Sequence, residues 1–373
     1  MFSKKKIFLF WFIIFLFIFF LLNGCSLFSS GSLYVTSNPN GAQIYLDGSY
    51  SGKVTPSLLL NLSPGSHLLK VILEDSSMSW EESITIFQNQ LTSVHIDLSP
   101  QKDYRALCIG VDEYLAPGIK DLRAPSYDVD RMRQVFEKSY FDNNQSAFTS
   151  IDTLIGTQAT RDNILQSIES SFLEADTSDI SYFYFSGHGY NDGETSTILP
   201  YDALAENASK DIVVDELALA LGNIPGTKIV ILDSCHSGGF IGKELSSREI
   251  LNTDNLRQFN ENVLESFAMH DTFSRKSNLA SGEFKVIVSA SGDQECWETL
   301  YHPIDGNPFG YFSASLCEGC GYNHFIAPYP ADYNIDGKIT VGEIYQYVKA
   351  SLVSLNQDAQ VYPENSSFTF IEY

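Results

Sequence analysis

Two short polar motifs carry the side chains best suited to covalent chemistry. Ser-Gly-His-Gly places His188 between two glycines, and Asp-Ser-Cys-His-Ser-Gly places Cys235 47 residues later. An imidazole can hold a nearby thiol as its nucleophilic thiolate. Glycines let backbone amides approach a substrate carbonyl closely, as an oxyanion hole requires. An isolated cysteine is usually structural, so it is the combination of the two motifs that predicts a nucleophile and its base.

A third motif, near the C-terminus, has the spacing of a calcium-binding loop. Residues 332–343 match the twelve-residue EF-hand pattern, including its glycine at position 6. Oxygen donors fall at positions 1, 3, 5, 7 and 12, the donor at position 7 being a peptide carbonyl: Asp332, Asn334, Asp336, Lys338 and Glu343. The pattern predicts a bound Ca²⁺ with a structural or activating role. A calcium-free tight turn is the alternative.

Strand patterns place the His and Cys motifs at one edge of a sheet. Residues 180–185 and 228–232 are apolar strand candidates that run directly into the two motifs, and 105–111 is another buried strand candidate. Ligands of open α/β sheets bind beyond the carboxyl ends of the strands. We therefore expect His188 and Cys235 to lie at one cleft.

Helices are predicted between these strands. Ser126 and Thr160 are the predicted N-caps of two amphipathic helices, and residues 153–155 form a further strand candidate. Alternating strands and helices predict an α/β domain over residues 102–373, with a mostly parallel sheet flanked by helices. The polar stretch 241–281 within it is either a surface loop or a self-cleavage linker.

Residues 32–99 have the pattern of a separate, small all-β sandwich. Short β-rich runs alternate with Pro, Gly, Asn and Asp turns, and Asp47-Gly48 is a hairpin signal. Before this module, Lys4, Lys5 and Lys6 precede an apolar run over residues 7–22, which is typical of an export signal. A retained membrane anchor is the alternative, and either reading places the body outside the cytoplasm on a membrane.

Charge and cysteine content narrow the choice of partners. The chain has 23 basic and 46 acidic residues, a net charge of −23, so nucleic acid is a poor partner and calcium or basic peptides are better ones.

Five cysteines remain besides Cys25. Because five is odd, at least one thiol stays unpaired, and the simplest expectation is buried thiols or one disulfide.

The N-terminal segments resemble two known sequence types. Leu-Asn-Gly-Cys, ending at Cys25, resembles a bacterial lipobox, which implies a signal peptide over 1–24, a lipid on Cys25 and a tether over 25–31. The protein would then be anchored in the bacterial cell envelope, at the outer membrane if the cell is Gram-negative. Asn-Pro-Asn-Gly-Ala at 38–42 and Pro-Gly-Ser-His at 64–67 resemble the PEGA domain, which implies a fold more than a function.

The two catalytic-type motifs resemble those of caspase-fold peptidases, on the metacaspase and paracaspase side. Tyr-Phe-Ser-Gly-His-Gly and Leu-Asp-Ser-Cys-His-Ser-Gly carry the resemblance, which spans most of residues 104–350. It implies that Cys235 is the nucleophile and His188 its partner, with the amides of Gly189 and Cys235 as the oxyanion hole. It also implies that Asp128 and Asp233 line a pocket for a basic P1 side chain.

The sequence thus predicts a cysteine endopeptidase that cleaves proteins or peptides after Arg or Lys. The motif around Cys235 differs from the Gln-Ala-Cys of animal caspases, which bears on specificity. For Asp128 and Asp233, a helix-dipole acid and a loop cap are the structural alternatives. The alternative function is a catalytically silent caspase-fold lipoprotein that binds or scaffolds partners in the cell envelope.

Overall fold

The computed structural model describes residues 30–74, 78–99, 102–141, 147–191, 195–235, 261–271, 283–289, 298–322, 328–355 and 357–373. These residues form two compact units, of which the second begins at Lys102. The predicted export signal and Cys25 lie outside the described residues, as does most of the 241–281 stretch. No helix within the described ranges is long and apolar enough to cross a membrane.

The first unit consists of β-strands that pair in two sheets. Sheet order is β4-β1-β7 in one and β3-β2-β5-β6 in the other, and β1 and β7 run parallel. Alternate residues such as Leu33 and Val35 of β1 or Leu69 and Val71 of β5 are fully buried, because successive side chains point to opposite faces. The predicted all-β module is confirmed. Its strands are β1 Gly31–Asn38, β2 Gln43–Leu46, β3 Ser49–Val54, β4 Ser57–Leu62, β5 Gly65–Ile72, β6 Ser79–Ile86 and β7 Leu91–Asp97.

The second unit is built on a sheet that is mostly parallel. Within the described residues, β9, β8, β10, β13 and β14 lie side by side in that order and run parallel, and β18 closes one edge antiparallel to β14. β11 and β12 extend β10 as antiparallel neighbours. The strands are β8 Tyr104–Gly110, β9 Phe148–Ile155, β10 Ile180–Asn191, β11 Ser196–Ile198, β12 Ile212–Val213, β13 Thr227–Cys235, β14 Phe284–Val288, β15 Glu298–Thr299, β16 Phe309–Gly310, β17 Lys338–Thr340, β18 Gln360–Tyr362 and β19 Thr369–Glu372.

Helices cover both faces of this sheet, and each face has its own apolar core. The central strands are buried along their length because both faces are covered, so their sequences are continuous apolar runs. The predicted α/β fold with a mostly parallel, helix-flanked sheet is confirmed. The helices are α1 Pro125–Lys138, α2 Arg161–Ser171, α3 Val214–Gly222, α4 at 261–271, α5 Tyr311–Gly319 and α6 Val341–Leu352.

Local boundaries differ from the sequence predictions in ways that have physical causes. The predicted cap at Ser126 is wrong, because α1 begins at Pro125 and the Ser126 hydroxyl donates to the Asp112 carboxylate instead. The predicted cap at Thr160 is confirmed, since its hydroxyl accepts from the backbone N–H of Asn163 at 3.3 Å. β10 continues past the predicted end of the strand, so the Gly-His-Gly motif lies within it.

Candidate active site

His188 and Cys235 lie directly opposite one another on neighbouring strands. β10 and β13 run parallel, and their register pairs Ser186 with Asp233 and His188 with Cys235. Cys235 is the last residue of β13. Neighbouring strands in a sheet are about 4.8 Å apart, so the pairing brings the two predicted catalytic residues to the same place.

The imidazole of His188 is buried and held by its own unit. The residue is 2% exposed, and its Nε2 lies 2.8 Å from the carbonyl oxygen of Lys120. A carbonyl can only accept, so Nε2 carries the hydrogen, and in the neutral ring the lone pair is on Nδ1. The backbone N–H of His188 donates to the hydroxyl of Tyr114 at 2.8 Å, and the two rings are 5.0 Å apart. These contacts fix both the orientation and the tautomer of His188.

Gly189, the predicted partner of Cys235 in the oxyanion hole, follows His188 in β10. It is in register with Ile198 of β11, and the N–H of Leu199 donates to the carbonyl of His188 at 2.9 Å. These pairings hold β10 straight through the Gly-His-Gly motif. The oxyanion role of Gly189 and Cys235 stays a prediction.

Asp128 and Asp233, predicted to share a pocket, meet beside Gly310. Asp128 lies in the first turn of α1 with no exposed surface, and Asp233 precedes Cys235 by two residues in β13. A Cβ placed on Gly310 would lie 2.9 Å from Asp233 Oδ2 and 3.0 Å from Asp128 Oδ2. Two carboxylates from distant parts of the chain therefore converge on one point. We call the surroundings of Asp128, Asp233 and Gly310 the acidic pocket.

Burial changes the acidity of both carboxyl groups in the acidic pocket. Burial, and secondarily the charge of Asp233, raises the pKa of Asp128 well above its ordinary value, against the opposing effects of Arg131 and the Gly310 N–H. Burial likewise raises the pKa of Asp233 to about 6, although the Ser313 hydroxyl donates to its Oδ2 at 2.5 Å. Both carboxyl groups therefore hold a proton to higher pH than an exposed Asp does.

Arg131 and Asp305 complete the pocket, and the sequence reasoning missed both. Arg131 is 1% exposed and pairs with Asp128 at 3.1 Å and with Asp305 at 2.8 Å. Asp305 comes from the segment between β15 and β16, far from α1 in sequence. The only available signal was the i,i+3 spacing of Asp128 and Arg131 on one helix. Gly310 carried no such signal.

The predicted calcium loop is held by its own hydrogen bonds. The Asp332 carboxylate accepts from the backbone N–H of Ile335 at 2.7 Å and of Gly337 at 3.0 Å. Glu343 forms a capping box with Thr340 at the start of α6, its Oε2 accepting at 2.9 Å from the Thr340 N–H. Across the described ranges, no three His, Cys, Asp or Glu side chains converge as metal ligands. The all-oxygen donor set suits Ca²⁺ in type, and binding would require Glu343 to turn from its cap towards the loop.

The remaining described cysteines are structural. Cys108, Cys317 and Cys320 are unpaired thiols buried in one core cluster. Burial raises the pKa of each of them above its ordinary value. A thiol that stays protonated is a poor nucleophile, so burial favours a structural role for these three cysteines.

The described α/β sheet thus pairs the backbone of His188 with that of Cys235 on two neighbouring parallel strands. The chain matches the caspase domain over residues 103–369 and the PEGA domain over residues 30–102. It therefore belongs to the caspase family and carries a PEGA domain in front of the caspase domain. The match supports a cysteine peptidase at the level of the family.

Similar proteins include metacaspases of a fungus and a plant. Metacaspase-1 of Candida albicans is 27% identical over 49% of this chain and 44% of its own length, and Metacaspase-4 of Arabidopsis thaliana is 30% identical over 37% and 34%. The chain thus spans less than half the length of these relatives. The crystal structure of caspase-1 from Spodoptera frugiperda has a TM-score of 0.41 at 11% identity, covering 73% of this chain and 92% of that one.

Proposed function

We propose that the protein is a cysteine endopeptidase that cleaves after Arg or Lys. The observation that carries this proposal is the pairing of His188 on β10 with Cys235 at the carboxyl end of β13, the strand that also carries Asp233. Both residues of a Cys-His dyad are present, whereas a silent scaffold would have no need of either. The caspase-family membership supports the same reaction class.

In the proposed reaction, Cys235 acts as the nucleophile and His188 transfers the protons. Because Nε2–H of His188 is engaged by the Lys120 carbonyl, Nδ1 is the nitrogen that takes the thiol proton. The thiolate attacks the scissile carbonyl, and the amides of Gly189 and Cys235 stabilise the oxyanion. The imidazolium then protonates the leaving amine, giving a thioester. Water hydrolyses the thioester, releasing the acid product and restoring the thiol.

The acidic pocket provides the proposed specificity. A guanidinium or ammonium of the P1 side chain would pair with the carboxylates of Asp128 and Asp233 near Gly310. An Asp at P1 would meet two like charges in a place shielded from water, where repulsion is strong. The pocket therefore favours Arg and Lys over Asp.

Calcium and a lipid anchor are further proposals about this protein. The oxygens of the predicted loop, supplied by Asp332, Asn334, Asp336, Lys338 and Glu343, would hold Ca²⁺ and stabilise the second unit. Lipidation of Cys25 would attach the exported protein to the bacterial cell envelope, at the outer membrane in a Gram-negative cell. Mass spectrometry of membrane-extracted protein tests the anchor: an acylated Cys25 as first residue supports it, and an intact Met1 contradicts it.

The peptidase proposal is tested with peptide reporters that differ only at P1. We expect cleavage after Arg and Lys, none after Asp, and no activity in Cys235→Ala. Loss of one member of a close charge pair costs about 2–5 kcal/mol, so Asp233→Ala should lower kcat/KM for Arg reporters by well over tenfold.

A Cys-reactive arginyl probe, used with and without calcium, separates the enzyme from the scaffold alternative. Selective labelling of Cys235 supports the enzyme. No labelling and no cleavage in either condition favours the silent scaffold, and full Arg-directed activity in the Asp128→Ala, Asp233→Ala double variant rejects the pocket assignment alone.

A further inference from the structure

Arg131 is held rigidly beneath the acidic pocket. A guanidinium has five N–H groups, and each of them has an acceptor here. Nε and Nη2 donate to Asp305 at 2.8 and 2.9 Å, Nη1 donates to Asp128 at 3.1 Å and to the Pro308 carbonyl at 3.0 Å, and Nη2 reaches the Asn307 carbonyl at 3.5 Å. Arg131 therefore has a fixed place and no spare donor for a substrate.

Asp305 is built to hold this arginine. Its carboxylate also accepts from the backbone N–H of Asn307 at 2.9 Å and from the hydroxyl of Tyr322 at 3.0 Å. Burial alone would raise the pKa of Asp305, but the hydrogen bonds from Arg131 and Asn307 outweigh it and lower the pKa to about 2. Asp305 is thus ionised at neutral pH, where it forms a bidentate pair with Arg131.

Without a bound substrate, the acidic pocket requires a cation of the protein itself to favour the ionised form of its carboxyl groups. Asp128 and Asp233 are both buried and converge on Gly310. Two carboxylates in such a position each raise the cost of ionising the other, because like charges repel at close range. A protonated acid attracts a cationic side chain far less than a carboxylate does. Arg131 contacts Asp128 from within α1, so its charge opposes the uptake of that proton.

We propose that Arg131, clamped by Asp305, is a positioning residue of the P1 pocket, a fixed counterion that favours the carboxylate form of Asp128 and holds it aimed at Gly310 so that the pocket accepts a basic side chain. The proposal rests on the proposed Arg/Lys-directed peptidase activity, which it deepens. Arg131 does not touch the substrate. It acts through Asp128 alone.

The charged and titratable groups around Asp128 come from several elements. Asp233 of β13, Tyr184 of β10 and Cys317 of α5 interact electrostatically with Asp128. Glu298 of β15 acts on Asp233, whereas His302 and Asp305, from the segment between β15 and β16, act on Arg131. Burial raises the pKa values of Tyr184 and Cys317, so both stay neutral. Burial and Arg131 lower the pKa of His302, which keeps it neutral near pH 7. Arg131 is the cation of this set that contacts Asp128.

The test measures kcat/KM for an Arg reporter from about pH 5 to pH 9. In Arg131→Gln we expect a loss of at least about tenfold at neutral pH, mostly through KM, with the acidic limb displaced to higher pH. Arg131→Lys, which keeps the charge, should retain the wild-type limb. Arg133→Gln is the matched control, because Arg133 lies on the same helix and pairs only with Asp130 and Glu137 at the surface.

A second variant protects the test from a folding failure. Arg131→Gln combined with Asp305→Asn removes both members of the Arg131–Asp305 pair, so Asp305 is not left as an unpaired charge and the net charge of the chain is unchanged. We expect the same displacement of the acidic limb in this variant. An equal loss of activity at every pH, with the limb in its wild-type place, would mean that Arg131 is merely structural and would overturn the proposal.

An infrared measurement separates this proposal from the peptidase proposal. In a Cys235→Ala background at neutral pH, the Arg131→Gln, Asp305→Asn variant should gain the C=O stretch of a protonated carboxylic acid, and a further Asp128→Asn should remove it. If the band appears but wild-type enzyme cleaves no Arg or Lys reporter, the counterion role stands and the peptidase proposal fails. If Arg reporters are cleaved and neither the band nor the pH profile changes, the counterion role is rejected.

Discussion

The carboxyl groups of the acidic pocket and those of the loop at 332–343 lie in different surroundings. Asp128 and Asp233 are buried, converge on one glycine and have raised pKa values. Asp332 is buried too, with 6% of its surface exposed. Its pKa is nevertheless lowered, because the Tyr373 hydroxyl and three backbone N–H groups outweigh the effect of burial. Burial alone therefore does not decide the acidity of a carboxyl group.

The difference lies in which groups face each carboxylate. The loop curls around Asp332, so its own amides satisfy both oxygens and the charge is stable without a partner. In the pocket both carboxylates lie next to Gly310, and Arg131 with the Gly310 N–H offsets only part of the cost of burying the charge of Asp128. A further cation beside these carboxylates would therefore stabilise their ionised form.

Among the variants that test this comparison, Gly310→Ala should have the largest effect, and that effect should be on kcat/KM. Gly310 has an ordinary extended backbone, but a Cβ would lie within 3.0 Å of both pocket carboxylates. We expect Gly310→Ala to lower kcat/KM for Arg reporters by about a hundredfold, since misplacement by 1 Å can cost that much. The measurement is steady-state kinetics with Arg and Lys reporters. Wild-type activity would show that the two acids do not shape the P1 site.

The matched control is alanine at Gly337 in the loop. Gly337 has a φ of 84°, and a Cβ there would meet only the Tyr373 carbonyl oxygen, at an ordinary 4.0 Å, so the penalty comes from the backbone and not from contacts. Gly337→Ala should lower the free energy of unfolding by about 1 kcal/mol and leave kcat/KM unchanged in the presence of calcium.

Calcium should have the next largest effect, and on the loop only. A ligand that binds the folded state adds about 2.7 kcal/mol of stability at one hundred times its Kd, so calcium should raise the Tm of the wild-type protein. Asp336→Ala with Glu343→Ala should abolish that shift, and Asp233→Ala should leave it intact. An unchanged calcium-induced shift in the loop double variant would remove residues 332–343 as the site.

The smallest expected effect is on thermal stability: two Asp→Asn variants should change the Tm at pH 7 in opposite directions. The pKa of folded Asp233 is raised to about 6, so its ionisation weakens the fold as the pH rises from about 4 to about 6, and Asp233→Asn should raise the Tm at pH 7. Folded Asp332 has a lowered pKa, so it stabilises the fold above its ordinary pKa and loses that effect as the pH falls. Asp332→Asn should lower the Tm at pH 7, by about 1–2 kcal/mol in unfolding free energy. Thermal unfolding at pH 4 and pH 7 decides, and equal signs at pH 7 would contradict the comparison.

Much of the fold could be predicted because it depends on local patterns. The apolar runs that become β10 and β13 are continuous since both faces of the sheet are covered, and the same runs point to the His188 and Cys235 motifs that follow them. The cap at Thr160 depends only on neighbouring residues and was correct. The cap at Ser126 failed because Asp112, from another part of the chain, competes for its hydroxyl.

The sequence by itself determined the fold class, the paired His and Cys motifs and the spacing of the calcium-type loop, since each is written in residues a few positions apart. Only the tertiary structure decided what surrounds Asp128. Gly310, whose N–H donates to Asp128, lies 182 positions along the chain from it. Asp305, which holds Arg131, lies 174 positions from Arg131. A charge acts through space, so which cation holds a buried carboxylate depends on packing that no local spacing encodes.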